Sequence, residues 1–290
     1  MRIPGLRETT LLELTRRVWS EINQDRCFGR AAELGFFFMM ALFPFLMVLI
    51  GFLSFLPGAS DFLVTQLVRF APPEVINLIR DWLDTVCSNR SGGLLSFTIL
   101  LTLWTASTGT AALVDLLNIA YDVGEGRSYW KTRWLAAWLT VALTLLVVGG
   151  TLLITFGGRL LKSLLTYAGL PGPSAIIGAA FSYAIGFAMV LVGIGITYYF
   201  GPNVRQKWRW VVAGALFAVI AIALVSYLFT FYLTLVPSFD TTYGGLGAVM
   251  VMMLWLYLIS FVILVGGEIN SELHHIAGLP KIEKEKSPPN

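Results

Sequence analysis

Charged positions are missing from six long stretches of the chain: residues 34–60, 91–114, 134–158, 163–204, 210–239 and 241–267 contain no Asp, Glu, Lys or Arg. Each can supply one helix across a bilayer core, which needs roughly 20 apolar residues. The longest, 163–204, could hold two, but Gly169, Pro171, Gly172 and Pro173 interrupt its first part and leave too little length for a span before them. The pattern therefore predicts an all-α polytopic membrane protein with six transmembrane helices near 34–56, 94–117, 134–157, 175–200, 210–235 and 245–267. Residues 1–33 form an N-terminal segment and 268–290 a tail. A membrane β-barrel is excluded, because its strands alternate in polarity over about ten residues and stretches such as 42–56 do not alternate.

Two further segments have a helical stripe without the length to span. In 10–25 the apolar residues Leu11, Leu14, Val18 and Ile22 recur at helical spacing among Glu13, Arg16, Arg17, Glu21 and Asp25. In 74–86 the stripe is Val75, Ile79, Trp82 and Val86, with Pro72 and Pro73 just ahead of the first turn, where proline is tolerated. Both read as helices lying on the membrane, either bracing the bundle or handling lipid and partners.

Lysine and arginine orient the bundle. The N-terminal segment, second loop, fourth loop and tail together carry 15 of them, and the first, third and fifth loops 5. Basic loops stay cytoplasmic, so both termini are expected on the cytoplasmic side. No cleavable signal peptide is expected, since the first apolar run starts only at Leu34, behind a charged segment. Cys27 then falls on the cytoplasmic side and Cys87 on the other, so the two cannot pair within one chain.

Composition removes whole classes of function. Of 290 residues only 13% are charged and 57% are apolar, with mean hydropathy +0.76; soluble domains carry about 25% charged residues. A soluble enzyme is excluded. The net charge of +3 fits a basic face against anionic lipid headgroups and gives no sign of nucleic acid as a partner. Membrane lipids are the expected partners. His274 and His275 are the only histidines, adjacent and so not facing one site on a helix. No metal, no cofactor and no catalytic residues are predicted.

Polar residues inside spans carry the rest, since a central charge costs at least about 2.5 kcal/mol. On the second span Trp104, Thr108, Ala111, Asp115 and Asn118 share a face, with Ser107 beside it; on the sixth, Tyr257, Ser260, Leu264 and Glu268 do the same. Asp115 and Glu268 lie near helix C-termini, where the dipole disfavours an anion. Cationic partners are expected from Arg30, Arg133, Arg205 and Arg209. The stripes are either a structural clamp or a polar path with a cytoplasmic mouth. Trp104 and Trp255 fall well inside spans and are expected to be packed or to line a cavity, whereas Trp19, Trp82, Trp130, Trp134, Trp208 and Trp210 sit at water–lipid levels. Gly178, Ser182 and Gly186 recur every four residues, a row that lets helices approach closely. Pro44 should kink the first span.

Three separated motifs occur in order: LWTASTGTAALVDLLNIAYDVGEGRSYWKTR at 103–133, the Pro202–Asn203 pair within YYFGPNVRQKWRWVVAGA, and YGGLGAVMVMMLWLYLISFVILVGGEIN at 243–270. With them the chain resembles the YihY/BrkB family of bacterial inner-membrane proteins over nearly its whole length. The resemblance implies six helices, cytoplasmic termini and a role in envelope integrity. Positions matching the family's motif residues include Trp104, Ser107, Asn118, Tyr121, Pro202, Asn203, Gly214, Tyr243, Gly244, Trp255, Tyr257 and Glu268; Gly266–Gly267 ahead of Glu268 departs from a commoner Gly–Ala. The family has also been labelled ribonuclease BN. This sequence argues against that activity, because metal-assisted phosphodiester cleavage needs clustered carboxylates or histidines and its loops hold none. The expected function is that of a carrier or flippase-like transporter of a lipid or amphiphile; the alternative is a non-transporting scaffold that binds envelope partners through residues 58–93.

Overall fold

The computed structural model describes residues 11–54, 92–167, 174–235 and 245–276. Among them all regular structure is helical: α1 Leu11–Gln24, α2 Cys27–Ser54, α3 Gly92–Ala120, α4 Tyr129–Tyr167, α5 Ser174–Phe200, α6 Trp208–Leu235 and α7 Gly245–Ile276. Four stretches are long and apolar enough to cross a membrane, Leu100–Ala120, Tyr129–Gly150, Trp208–Leu233 and Val249–Ile276, with a shorter apolar helix at Ala184–Phe200. The amphipathic stripe expected at 74–86, Cys87, Tyr243 and Gly244 lie outside the described residues.

Two helices outrun their expected spans. The 39 residues of α4 extend about 58 Å at 1.5 Å per residue, well beyond a hydrocarbon core of about 30 Å, and carry it through Arg159 and Lys162. α7 continues past 267 to Ile276, and this added end is buried: Asn270, Ser271, Glu272, Leu273 and His274 are all under 5% exposed. α2 remains helical through Pro44.

The chain gathers into two units, Met1–Leu42 with Ser107–Ala137 and Ile194–Asn290, and Phe43–Ala106 with Trp138–Gly193. In the second unit Leu139, Thr140, Thr144 and Val148 are buried on α4, and the Thr144 hydroxyl donates to the Thr140 carbonyl at 2.8 Å, satisfying a polar group inside the helix. A Cβ at Gly178 would meet nothing within 4 Å among the described residues, whereas at Gly193 on the same helix it would stand 3.2 Å from Leu143.

In the first unit α6 and α7 form the most extensive helix pair. Their backbones touch: a Cβ on Gly214 would overlap the Gly266 carbonyl oxygen and the Asn270 carboxamide. At Gly35, a Cβ would come within 3.2 Å of the Tyr257 backbone, so α2 also approaches α7 through a missing side chain.

α1 follows its stripe, and the stripe meets protein. Val18 and Ile22 pack with Cys27 and Val265, with Phe261 and Ile269 against the same cluster, while Leu14 packs against Trp210 and Leu273. Leu12 and Trp19 point away and are exposed. Trp210 is therefore not a member of the aromatic belt; it is buried beneath α1, whereas Trp19, Trp130, Trp134 and Trp208 are at least half exposed. The turn out of α1 is sharp. Arg26 takes a left-handed φ of 50°, and its N–H returns to the Asn23 carbonyl at 3.2 Å. Replacing Val18 by Asp should lift α1 off α7 at a cost of roughly 3 kcal/mol. Trypsin should then cut faster at Arg26 in detergent, while Leu12→Asp leaves the cleavage rate unchanged; equal rates for the two variants would mean that α1 does not hold the turn.

Candidate functional site

The end of α3 is built to stop at a fixed place. Asp122 takes φ 55°, a conformation that Asp tolerates better than most residues. The Val123 N–H reaches the Asn118 carbonyl at 2.9 Å and the Asp122 N–H the Ile119 carbonyl at 3.0 Å, the paired bonds of a Schellman motif. This closure leaves the Asn118 and Tyr121 side chains buried and sends the chain into a loop rich in Gly and charge.

That loop is tied to the one after α5 through Asn118. Its Oδ1 accepts the Asn203 N–H at 2.7 Å and its Nδ2 donates to Glu125 at 2.8 Å. Arg127 holds both oxygens of Glu125 at 2.8 Å and donates from the same side chain to the Gly201 carbonyl at 2.8 Å. Gly201 closes α5 with its own N–H on Thr197, and Pro202, which has no N–H to give, cannot continue the helix. Partial burial raises the Glu125 carboxyl, but the hydrogen bonds from Arg127 and Asn118 outweigh it and hold the group below its ordinary value. The first two motifs of the sequence thus meet in one polar joint.

A second set of bonds runs from this joint into α7. The Tyr121 hydroxyl donates to Gln206 at 2.9 Å, Gln206 donates to the Tyr198 carbonyl, and the Tyr198 hydroxyl donates to the Ile263 carbonyl. Asn270 accepts the Gly214 N–H at 2.7 Å. Ser260, Leu264 and Glu268 share one buried face of α7, each under 3% exposed, with Tyr257 half-buried at its start.

Among the described residues, the arginine clamp expected on Glu268 is not the arrangement found. Glu268 accepts from the Cys27 thiol at 3.4 Å, and its other oxygen has no partner among the described residues. Arg30 lies 3.6 Å from Asp25 instead, and the Arg209 guanidinium sits over the Trp210 ring at 4.6 Å. The chain folds back at Arg26, which delivers Cys27 rather than a cation to Glu268.

Asp115 faces a partly open cavity of about 540 Å³ lined by residues of α2, α3, the loop and the start of α4. Its apolar wall includes Phe37, Ala111, Ala112, Leu116 and Ile119; its charges are Glu33, Asp115, Glu125, Arg127 and Arg133. Of the expected face on α3, Thr108, Ala111 and Asp115 line this cavity, Asn118 turns to the joint, and Ser107 is fully buried. Trp104, expected in a packed or cavity-lining position, is 37% exposed; Trp255 is half-buried. Tyr257 and Glu268 do not line the cavity. Glu125, Arg127, Gln206 and Asn270 were not singled out by the sequence. The first two could have been, since a Glu-Gly-Arg run in a tight loop sets opposite charges two residues apart.

The profile of the family described as Virulence factor BrkB matches residues 18–289. The chain is similar to the ribonuclease-like protein YfkH of Bacillus subtilis, with 35% identity over 252 residues, 87% of this chain and 92% of that one. A UPF0761 membrane protein of Aromatoleum aromaticum is 26% identical over 91% of this chain and 64% of its own length, and one of Pseudoalteromonas translucida is 23% identical over 90% of this chain and 87% of its own. Some relatives are longer, and the chain spans 60% of a Paraburkholderia xenovorans protein. No solved structure matches significantly.

Proposed function

The chain belongs to the Virulence factor BrkB family of membrane proteins, and from that premise we propose that it is a carrier of an amphiphile in the bacterial inner membrane, with six spans, cytoplasmic termini and a role in envelope integrity. The observation that carries this reading is the cavity at the α3–α4 turn. One wall is apolar and the other charged, the two surfaces an amphiphile needs, and its volume falls in the range of ligand pockets. The 15 to 5 bias of Lys and Arg in the loops favours opening toward the cytoplasm. The polar joint at Asn118 gives the mouth a rigid rim. The reading includes no catalytic step.

The test is reconstitution. Purified protein in liposomes carrying a fluorescent phospholipid should move that lipid between leaflets faster than protein-free liposomes, as read by dithionite quenching. Ala112→Trp, which fills the cavity from a half-buried position, should remove the acceleration while the protein remains inserted and monodisperse. Leaflet exchange no faster than in empty liposomes would sink the proposal.

A further inference from the structure

Glu268 is a buried carboxyl group with no counter-charge among the described residues. It is 1% exposed and lies three residues beyond Val265, which packs with Val18, Ile22 and Cys27, so α1 and the turn after it cover this face of α7. Its Oε1 accepts from the Cys27 thiol at 3.4 Å. Its Oε2 is shut from solvent and has no hydrogen-bond partner among the described residues. The groups around it are acidic or neutral. Glu21 and Asp25, in α1 and just past it, and Asp122 after α3 act on it electrostatically. It acts in turn on Tyr121, whose hydroxyl is engaged with Gln206 at 2.9 Å. One turn further along α7, Glu272 stands 4.0 Å from His275. The cations of α1 and of the start of α2 are engaged or turned outward: Arg17 with Glu13 at 2.7 Å, Arg30 with Asp25 at 3.6 Å, and Arg16 and Arg26 exposed.

An ionised carboxylate shut from water with no cation beside it is among the costliest groups a fold can bury, and neighbouring carboxylates add to that cost. An arginine, a metal ion or a proton can neutralise it. The arginines are placed elsewhere. A metal ion needs further ligands, and among the described residues no three His, Cys, Asp or Glu side chains are arranged to hold one. A proton needs no further ligand: a carboxylic acid keeps Oε1 as the acceptor that the thiol uses and carries its hydrogen on Oε2. We infer that Glu268 is a proton-binding site beneath α1, occupied while α1 is docked, whose proton passes to water when α1 lifts. The two events are linked. Loss of the proton sets a negative charge against Glu21, Asp25 and Asp122, which drives the acidic end of α1 from α7, and water then solvates the carboxylate that α1 had covered. Docking of the Leu14, Val18 and Ile22 stripe takes a proton up again. A chain that moves no lipid would still hold this proton, so the site stands apart from the carrier reading.

Infrared spectra of the full chain in detergent should show, at pH 6.5, a carboxylic acid C=O band that shifts in D2O, that Glu268→Gln lacks, and that fades as the pH is raised to 9. The amide of Glu268→Gln has the shape of the neutral acid, so this variant should match the parent in Tm at pH 6.5. At pH 9 the parent should melt earlier than the variant, because the docked chain holds one proton more than the unfolded chain and loses stability as pH rises. Trypsin reads the position of the helix itself. The rate of cleavage at Arg26 in the parent, divided by that in Glu268→Gln at the same pH to cancel the protease's own pH dependence, should be near one at pH 6.5 and at least fivefold at pH 9. Absence of an acid band from the parent at pH 6.5, a measurement that needs no variant, would overturn the inference, as would a cleavage ratio that stays near one over this range. Should Glu268→Gln fold poorly, the parent's own band decides: its loss between pH 6.5 and 9 together with faster melting supports the site, and a band unchanged at pH 9 overturns the link to α1.

Discussion

Gly214→Val should leave very little folded protein. The Cβ of any side chain at this position would fall on the Gly266 carbonyl oxygen and the Asn270 carboxamide, and backbone cannot swing aside as the end of a long side chain can. The same position also gives its N–H to Asn270 at 2.7 Å, so moving α6 away to make room breaks a bond at a site with no water to replace it. Overpacking a core costs about 1–3 kcal/mol and more where the obstacle is rigid. A loss of at least about 3 kcal/mol, or roughly 10 °C in Tm for a chain of this size, should appear as low yield and early melting in detergent. Gly178→Ala is the matched control, because a Cβ there meets nothing within 4 Å among the described residues; relieving a helical glycine should leave stability equal or raise it by up to about 1 kcal/mol. If both variants melt with the parent, the α6–α7 contact is not where the bundle is held.

The second large effect is expected at the polar joint. Asn118→Asp keeps the acceptor that Asn203 uses but replaces the donor facing Glu125 with a carboxylate at a 2.8 Å spacing. Glu125 is held ionised by Arg127, so at neutral pH the two carboxylates repel, and one of the pair must have its pKa raised. Roughly 2–4 kcal/mol of stability should be lost at pH 7.5. The sign with pH follows. As pH falls through the raised value the pair takes up a proton, the donor returns, and the defect should shrink. In the parent, Glu125 sits below its ordinary value, so its contribution is retained until the pH falls through that lowered value. The Tm difference between variant and parent should therefore be larger at pH 7.5 than at pH 5.5. Adding Glu125→Gln, which supplies an amide donor to the new carboxylate, should recover part of the loss. A difference independent of pH would mean that the joint tolerates a second charge, by admitting water.

The loop around Glu125 shows how far sequence reasoning reaches and where it stops. Helices and their order follow from charge-free runs, because a backbone in lipid must satisfy its own hydrogen bonds and a charge in a span is costly; these are local requirements. Hence α1, α3, α5 and α6 lie close to their expected bounds, and Leu14, Val18 and Ile22 of α1 and Ser260, Leu264 and Glu268 of α7 face inward. Partners are not local. Glu268 carried every mark of an anion awaiting an arginine, yet the left-handed residue at Arg26 turns α2 so that Cys27 arrives first. Trp210 had the position of a belt residue, and α1 covers it. Gly178 has the spacing of a packing glycine, and among the described residues close approaches are found at Gly193, Gly35 and Gly214.

What the sequence by itself determined about this protein is its class: an all-helical membrane chain with polar faces on two helices and three motifs, each set by composition and period. What only the tertiary structure decided is who meets whom: that Asn118 joins two loops through Asn203 and Glu125, and that Thr108 and Asp115 open on a cavity that Trp104 does not line. The physical reason is one of range. Hydrophobicity and helix propensity act along the chain within a few turns, whereas these contacts join residues up to 241 positions apart, and their geometry depends on two turns, at Arg26 and Asp122, whose φ angles no hydropathy pattern encodes.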